Sequence, residues 1–425
     1  MKKWRFLALV VLSLMLWSGA AAASVLDRYT AITTTSGDRV FALRARAAPL
    51  TSEPWITWHA SEIVEVGVNL NILNTIPLGE AAKNSTSLAY HNGKLYVGSA
   101  GGTLWPNVEW GNVWEVDINS GIGRRIFNVE NIAAQLQPYT GRAGISGLAI
   151  ANDGTAFLLV TGHDSSLDFG ATLFVTTVTA LAAGNAGTPT TLSGNAFGAA
   201  WGLAWSEYDQ TLWIMAGSDL QSYSKLGTVV THRRTFSSGA LGHDVYRIAP
   251  LRGGGLFYTT SEFAGGHTNG IAGLITNDAV SWRGEPNNGD AWTFAFRDHH
   301  NRSRVLVAQH RFGALVSDTV SVYDPGNLTA GPIEQVSNWM HGGRTASFIQ
   351  GITVRGNYLY YATLESNFPG NTERLSGLIG RVDMRTWDND GNGGGNGGGS
   401  GCSVGFGAAI LLLLAPIALI KYRKR

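Results

Sequence analysis

A short apolar motif recurs along the chain, and its spacing limits the fold more than any other feature. The motif is a large apolar residue, then alanine (threonine in the last copy), then a second apolar or aromatic residue, with proline in one copy. Its copies begin at Phe41, Leu88, Leu148, Leu203, Ile248, Phe294 and Ile352, at intervals of 47, 60, 55, 45, 46 and 58 residues. A repeat of this length predicts structural units that each pack against the next one.

Turn signals and further apolar runs follow most copies. Asn92-Gly93 and Asp153-Gly154 predict hairpins, because these residue types tolerate a positive φ. Second strands rich in aromatic and β-branched residues are predicted at 95–97, 156–160, 211–214, 256–258 and 358–361, and third strands at 113–117, 172–175, 320–323 and 378–382. All-β units of about 50 residues with three or four strands are typical of propeller blades.

The sequence therefore predicts an all-β, seven-bladed β-propeller over residues 24–387. The copies at Phe41 and Phe294 are weak, so six or eight blades stay open, and a tandem of β-sandwiches is the alternative fold. The last unit has no visible outer strand. We expect the strand-like segment from Tyr29 to Thr34 to complete that blade and so close the ring.

The two ends of the chain predict export. Residues 1–23 combine a basic start, an apolar run from Phe6 to Trp17 and a small-residue cleavage site before Ser24, which is the pattern of a signal peptide. A membrane-spanning first helix is the alternative, although the run is short for it. At the other end, a Gly-rich linker (388–401) leads to a segment (402–425) with an uncharged run of 17 residues and a basic end. This order predicts a transmembrane tail with the propeller facing outward.

The tail also resembles a known class of sorting signal. The order of Gly-rich spacer, Gly401-Cys402-Ser403, apolar run and basic end is similar to the C-terminal sorting domains of bacterial envelope proteins, most nearly the Synerg-CTERM type and its Myxo-CTERM and GlyGly-CTERM relatives. The resemblance implies recognition by a membrane-embedded protease or transpeptidase, cleavage near Cys402 and modification of that thiol. A plain transmembrane anchor is the alternative. The middle of the chain resembles bacterial seven-bladed propellers in general.

Charge and cysteine content narrow the function further. Without the three basic residues of the first segment and the four of the last, 24 basic residues face 30 acidic ones. No basic stripe is present, so we predict no nucleic-acid partner. Cys402 is the only cysteine, so the predicted propeller is held together without disulfides.

The chain carries no strong catalytic signature, and no motif identifies a cofactor or a metal site. H-E-x-x-H, G-x-S-x-G and phosphate-loop patterns are all missing. The calcium-loop pattern that starts at Asp388 has Gly399 where a bidentate glutamate is needed, which favours a polar spacer. Eight histidine or acidic residues near predicted strand ends are candidates for a ligand or catalytic site: His163, Asp164, His243, Asp244, Glu262, His267, Asp298 and His299. Each of them could instead cap a turn.

Tryptophan is the other candidate ligand-binding residue. Trp105 and Trp110 lie in a predicted loop and could stack on a sugar, whereas Trp114, Trp205 and Trp213 lie in predicted strands and should be core. We therefore predict a cell-envelope or surface-displayed binding module, whose ligand is a glycan or another envelope protein. The alternative is an extracellular hydrolase or lyase that acts on a polymer at the channel mouth. It requires the candidate histidines and acids to gather at one end of the ring.

Overall fold

The chain folds into seven consecutive antiparallel β-sheets, here called blades 1 to 7. The structure is a computed structural model that describes residues 26–47, 58–79, 82, 85–100, 110–136, 143–163, 169–190, 192, 202–216, 218–261, 270–287, 290–310, 318–336, 339–369 and 375–388. The compact unit described below ends at Thr386. The all-β class and the seven blades predicted from the repeat are confirmed.

The first four blades each contain four strands in chain order. Their bounds are β1 (Leu26–Thr34), β2 (Val40–Ala47), β3 (Trp58–Val66) and β4 (Ile72–Pro77); β5 (Ser85–His91), β6 (Lys94–Ser99), β7 (Asn112–Asp117) and β8 (Ile122–Asn128); β9 (Gly144–Ile150), β10 (Thr155–His163), β11 (Phe169–Thr177) and β12 (Thr188–Thr190); β13 (Gly202–Ser206), β14 (Thr211–Ala216), β15 (Asp219–Leu226) and β16 (Val229–Phe236).

The last three blades follow the same plan until the final sheet. Their strands are β17 (Asp244–Pro250), β18 (Leu256–Ser261), β19 (Gly270–Thr276) and β20 (Ala279–Asn287); β21 (Asp290–Arg297), β22 (Ser303–His310), β23 (Thr319–Tyr323) and β24 (Glu334–Val336); β25 (Met340–His341), β26 (Arg344–Arg355), β27 (Tyr358–Asn367), β28 (Leu375–Ser376) and β29 (Ile379–Asp383). Short helices span Val129–Gln135, Val178–Ala182, Ser238–Leu241, Leu328–Ala330 and Met384–Asp388.

The innermost strand of each blade contacts the innermost strands of its two neighbours. These strands are β1, β5, β9, β13, β17, β21 and β26, and the contact of β26 with β1 completes a closed ring. The buried cores lie between blades: Tyr96 of blade 2 packs with Leu158 of blade 3, and Trp213 of blade 4 packs with Tyr258 of blade 5. Each sheet is therefore covered by its neighbours, which is how a ring of seven sheets buries its faces.

The alanine of the repeat motif sits opposite a large residue of the second strand. Ala89 pairs with Tyr96, Ala149 with Phe157, Ala204 with Trp213 and Ala249 with Phe257. Small side chains next to the axis and large ones further out give each blade the taper that a closed ring needs.

The prediction that the segment from Tyr29 to Thr34 completes the last blade is wrong. It lies in β1, the innermost strand of blade 1, where Thr33 pairs with Phe41 and Thr34 with Val40. The tight turn after Thr34 explains this, because Asp38 donates its backbone N–H to the Thr35 carbonyl at 3.1 Å and strands joined by such a turn pair with each other. The motif copy at Phe41 consequently lies on a second strand and not on an inner one.

The ring closes through side chains and a few polar contacts between blades 1 and 7. Ile32 and Val64 of blade 1 share a buried cluster with Tyr360 and Ala362 of blade 7. The backbone N–H of Gly377 donates to the Asp27 carbonyl at 2.7 Å, and the Asp27 N–H donates to the Ser376 hydroxyl at 3.1 Å.

A buried ion pair joins the same two blades. Nη2 of Arg28 lies 3.2 Å from Oε1 of Glu365, and both side chains are almost fully shielded from solvent, at 3% and 6% exposure. In the described part of blade 7, the outermost pairing is that of β29 with β27. No strand is exchanged between the described ends of this ring.

Candidate binding site at the mouth of the ring

The two ends of the ring are built from different kinds of connection. Strand direction alternates within each blade, so one end holds the turns from first to second strand and from third to fourth strand; we call it the hairpin face. The other end, the mouth face, holds the starts of the inner strands and the joins between second and third strands. Most of these joins are long: β6 ends at Ser99 and β7 begins at Asn112, and β18 ends at Ser261 and β19 begins at Gly270. The exception is blade 4, where β14 ends at Ala216 and β15 begins at Asp219.

Side chains of the hairpin face link neighbouring blades. The Ser36 hydroxyl lies 2.8 Å from the Tyr90 hydroxyl, which joins blades 1 and 2. Lys225 of blade 4 donates to the Asp153 carboxylate of blade 3 at 2.6 Å, and this hydrogen bond lowers the pKa of Asp153 to about 2. The Gly255 N–H of blade 5 donates to Asp209 of blade 4 at 3.4 Å. The polar groups of this face are therefore used to hold the ring together.

Five inner strands carry a β-bulge at the same position, four or five residues before the strand ends at the hairpin face. The extra residue comes three positions before the motif alanine, or before the threonine that replaces it in blades 1 and 7. The bulged residues are Thr30, Thr86, Ser146, Tyr246 and Gln350. In blade 6 the pairing of β21 is continuous, and the described part of β13 begins after this position. Bulges redirect side chains and are over-represented next to functional sites.

Three of the bulged residues, Thr30, Ser146 and Gln350, carry polar side chains. The Thr30 hydroxyl donates to the Ser85 carbonyl of the next blade at 2.8 Å, and the Ser146 hydroxyl lies 2.7 Å from that of Thr161. The side-chain nitrogen of Gln350 is shielded from solvent and has no hydrogen-bond partner among the described residues. A buried donor without a protein acceptor is costly, unless it binds a ligand or solvent acceptor.

The bulge of blade 7 is held in place by Asp318 of blade 6. Its fully buried carboxylate accepts the backbone N–H groups of Phe348 at 3.0 Å and Ile349 at 2.8 Å. Phe348 has a φ of 57°, and of the described residues with positive φ other than glycine it is the one that lies within a strand. This backbone conformation costs a bulky residue about 1–3 kcal/mol, so the inner strand keeps it only because Asp318 fixes it.

The bulge of blade 5 contributes to an aromatic and cationic cluster with blade 6. The Arg247 guanidinium lies 3.3 Å from the ring centre of Trp292 and 4.5 Å from that of Tyr246. The two rings meet edge to face with 5.8 Å between their centres. Cation–π contacts of this kind fix a guanidinium in place. The cluster thus holds a cation and two aromatic rings, side by side, on neighbouring inner strands.

The predicted site residues are divided between the two ends. His243 and Asp244, both half-buried, lie at the start of β17 on the mouth face, where β10 also ends at His163. Asp298 and His299 follow β21 on the hairpin face. An inner strand of eight residues, such as β21, is about 25 Å long, so these two groups do not share a site. Asp164, Glu262, His267 and Trp105 lie outside the described residues, as does the His163 side chain.

Asp298 has structural partners that account for its burial. Its carboxylate accepts the backbone N–H of Arg302 at 2.9 Å and that of His300 at 3.0 Å. It also pairs with the guanidinium groups of Arg302 at 2.7 Å and Arg304 at 3.2 Å. Burial raises the pKa of Asp298, but these donors outweigh it and the pKa is lowered. Across the described ranges, no three His, Cys, Asp or Glu side chains are grouped as a metal site would require.

The candidate tryptophans that the structure describes lie against the core. Trp110 is half-buried against the cluster between blades 2 and 3. Trp213 is buried, Trp205 stacks on Phe157 with 5.0 Å between ring centres, and Trp114 packs against the cluster between blades 1 and 2. Sequence reasoning did not single out Arg247, Trp292, Gln350 or Asp318. Trp292 and Gln350 share a positional signal, since each stands three residues before the motif alanine or its replacement.

The predicted signal peptide and sorting tail, with Gly401, Cys402 and Ser403, lie outside the described residues. Within the described ranges no helix has the length and hydrophobicity needed to cross a bilayer.

Comparisons with known proteins found structural matches at low sequence identity. The chain matches no protein-family profile and no curated protein. A Hadza microbial sialidase is 8% identical, with 85% of this chain and 66% of that chain covered and a TM-score of 0.46. The β-propeller domain of the Trilobed protease from Pyrococcus furiosus, which has an open velcro topology, is 11% identical over 84% and 95%, with a TM-score of 0.46.

A puromycin-hydrolyzing peptidase from Mycobacterium tuberculosis is 12% identical over 86% of this chain and 52% of its own, with a TM-score of 0.48. The chain thus spans about two thirds of the sialidase and half of the peptidase. The assignment of the chain as a seven-bladed β-propeller follows from its own sheets and their closed ring of inner strands.

Proposed function

We propose that the protein is an exported propeller that binds a glycan of the cell envelope at its mouth face. The observation that carries the proposal is the repeated bulge: five inner strands break their pairing at one position, which in blades 2, 3 and 5 lies within the first three residues of the strand, at the mouth face. Stability alone does not require these breaks, because β21 forms the same ring without one. The hairpin face, by contrast, uses its polar groups to join blades.

The cluster of Arg247, Tyr246 and Trp292 defines the chemistry of the proposed site. Aromatic faces stack on sugar rings, and a guanidinium donates to hydroxyl or carboxylate oxygens. The unpartnered amide donor of Gln350 adds a neutral hydrogen-bond donor on a third inner strand. A site with these groups favours a polar ligand that has flat apolar patches, which describes a carbohydrate.

The test measures binding of the purified protein to immobilised envelope polysaccharides. Trp292→Ala should weaken binding by about 30-fold, because a central aromatic anchor contributes about 2 kcal/mol or more. Arg247→Gln should weaken it as well and keeps most of the side-chain volume. Tyr208→Ala is the matched control, since Tyr208 is an exposed aromatic residue of the hairpin face.

If wild type and Trp292→Ala bind equally and circular dichroism shows that both are folded, the proposal is wrong. A loss of binding in Tyr208→Ala would place the site on the wrong face. Release of soluble reducing ends from the bound polymer would instead identify the alternative activity, that of a hydrolase or lyase.

We further propose that the protein is sorted through its tail, with cleavage by a membrane-embedded protease near Cys402 and attachment through that thiol. The support is the order of Gly-rich spacer, Gly401-Cys402-Ser403, apolar run and basic end. Intact-mass measurement on protein isolated from the cell surface should show a mass without residues 404–425. Retention of those residues would show a plain anchor.

A further inference from the structure

The exposed apolar side chains of the ring are concentrated on the hairpin face. Among the described residues, nine large apolar side chains are more than 40% exposed, and seven of them lie in or beside a hairpin turn. The seven are Val68 (48%), Ile72 (43%), Leu73 (59%), Ile122 (64%), Tyr208 (67%), Leu226 (84%) and Val229 (64%). Turns are usually polar, so apolar tips gathered at one end of a fold call for a partner surface.

Six of these tips form two groups. Val68, Ile72 and Leu73 belong to the β3–β4 hairpin of blade 1, and Ile122 to the β7–β8 hairpin of blade 2; the two outer strands are in contact. Leu226 and Val229 pair across the β15–β16 turn of blade 4. Arg124 lies two residues beyond Ile122; its side chain is 59% exposed and its Nη2 lies 2.9 Å from Oε1 of Glu115. Apolar tips gathered on one face of the ring fit a lipid interface.

The chain leaves the ring at the same face. The last strand, β29, runs toward the hairpin face, and the N–H of Met384 donates to the carbonyl of Asn357 in the β26–β27 turn at 2.9 Å. The guanidinium of Arg381 in β29 donates to the Val68 carbonyl of blade 1. The exit of the chain therefore lies beside the first group of apolar tips.

The segment between this exit and the apolar run is short enough to keep the exit close to a bilayer. Residues 389–403 are rich in glycine and precede the apolar run from Val404 to Ile420. Fifteen residues can span no more than about 50 Å. A tether this short gives the hairpin face a high effective concentration at the membrane, so a weak apolar contact is enough to hold it there.

We infer that the hairpin face rests on the lipid surface, with the tips of blades 1, 2 and 4 among the headgroups, and that the mouth face points away from the membrane. The inference rests on the proposed export and tail attachment. It adds the orientation of the ring on the membrane. The proposed binding site at the mouth face points outward, and the bilayer covers the hairpin face.

The test reconstitutes the full chain, with Cys402→Ser, in vesicles of phosphatidylethanolamine and phosphatidylglycerol. An environment-sensitive fluorophore is attached at Leu73→Cys, Leu226→Cys or Phe368→Cys, each in a separate protein. Phe368 is the matched control, because it is an apolar residue of 48% exposure that follows β27 at the mouth face. We expect a blue shift of emission and strong quenching by lipids with a headgroup-depth spin label at the first two positions, and neither at Phe368.

Vesicle flotation distinguishes a failure of the inferred orientation from a failure of tail attachment. Protein that floats with the vesicles but shows no quenching at Leu73 or Leu226, or equal quenching at Phe368, overturns the orientation and leaves tail attachment intact. Protein that does not float overturns both. Blue-shifted emission without quenching by the lipid spin label would show that a second copy of the chain, and not lipid, covers the tips, and would also overturn the lipid contact. Charge substitution at Leu73 and Leu226 (both to Glu) should abolish quenching of a fluorophore at Ile122→Cys.

Discussion

Replacing Glu365 by glutamine would remove the carboxylate charge that lies beside Arg28 at the junction of blades 1 and 7. The two side chains lie 3.2 Å apart at 3% and 6% exposure. At an effective dielectric constant of 20 their attraction is about 5 kcal/mol, and removal of one member of a buried pair costs about 3–5 kcal/mol. We therefore expect Glu365→Gln to lower the free energy of unfolding by about 3 kcal/mol or more.

Urea carries no charge and therefore does not screen ion pairs. Urea unfolding, followed by tryptophan fluorescence, measures this loss of stability. The double replacement Arg28→Met with Glu365→Leu should recover stability to within about 1 kcal/mol of wild type, because an apolar pair removes both desolvation costs. Hydrogen exchange should also show faster exchange of β1 amides in the single variant, since local opening starts where closing contacts are lost.

The control is the exposed pair of Arg233 and Asp278, which joins blades 4 and 5 at 2.7 Å with side chains 37% and 36% exposed. Asp278→Asn should cost less than about 1 kcal/mol. If Glu365→Gln costs no more than Asp278→Asn, the buried pair does not hold the ring closed and the reasoning fails.

Two further predictions concern packing and pH. Gly273→Ala should lower the free energy of unfolding by about 1–3 kcal/mol, because a Cβ there would lie 2.2 Å from Cζ of the buried Tyr258, whereas Gly37→Ala, which meets no atom within 4 Å, should not; thermal unfolding compares the two. Asp153 should contribute stability above pH 4 that is lost as the pH falls toward 2, because its folded-state pKa is about 2 against 3.8 for the free side chain; Asp153→Asn should therefore differ from wild type in unfolding midpoint at pH 6 and match it near pH 2.

The repeat could be predicted because it reflects packing that every blade needs. An alanine opposite Tyr96, Phe157 or Trp213 is a local demand, so it recurs in the sequence at blade intervals. Blade 1 has Thr33 at this position, opposite Phe41. The first copy of the motif, Phe41-Ala42-Leu43, therefore lies one strand later, on β2. No motif copy marks Tyr29 to Thr34 as an inner strand, and for this reason the sequence assigns that segment to the wrong blade.

The candidate site could be predicted much less well. Histidines and acids were chosen for their chemistry, yet Asp298 proved to be neutralised by Arg302 and Arg304 at the hairpin face. A β-bulge leaves little trace in sequence, because the five bulged positions share a place in the strand but no common residue type: they hold threonine twice, then serine, tyrosine and glutamine. Their placement depends on register between strands, which single-sequence patterns do not fix.

The uninterrupted order of the blades has a consequence for how the chain folds. Blade 1 has all its strands once Pro77 has been synthesised, and no blade waits for a strand from the opposite terminus. Pairing within blades therefore joins residues that are close in sequence, which favours fast local folding. Only the docking of blade 7 on blade 1 joins distant parts of the chain, since Arg28 and Glu365 are 337 positions apart. We expect that docking to be the last and slowest step, and a chain interrupted before it to hold finished blades in an open arc.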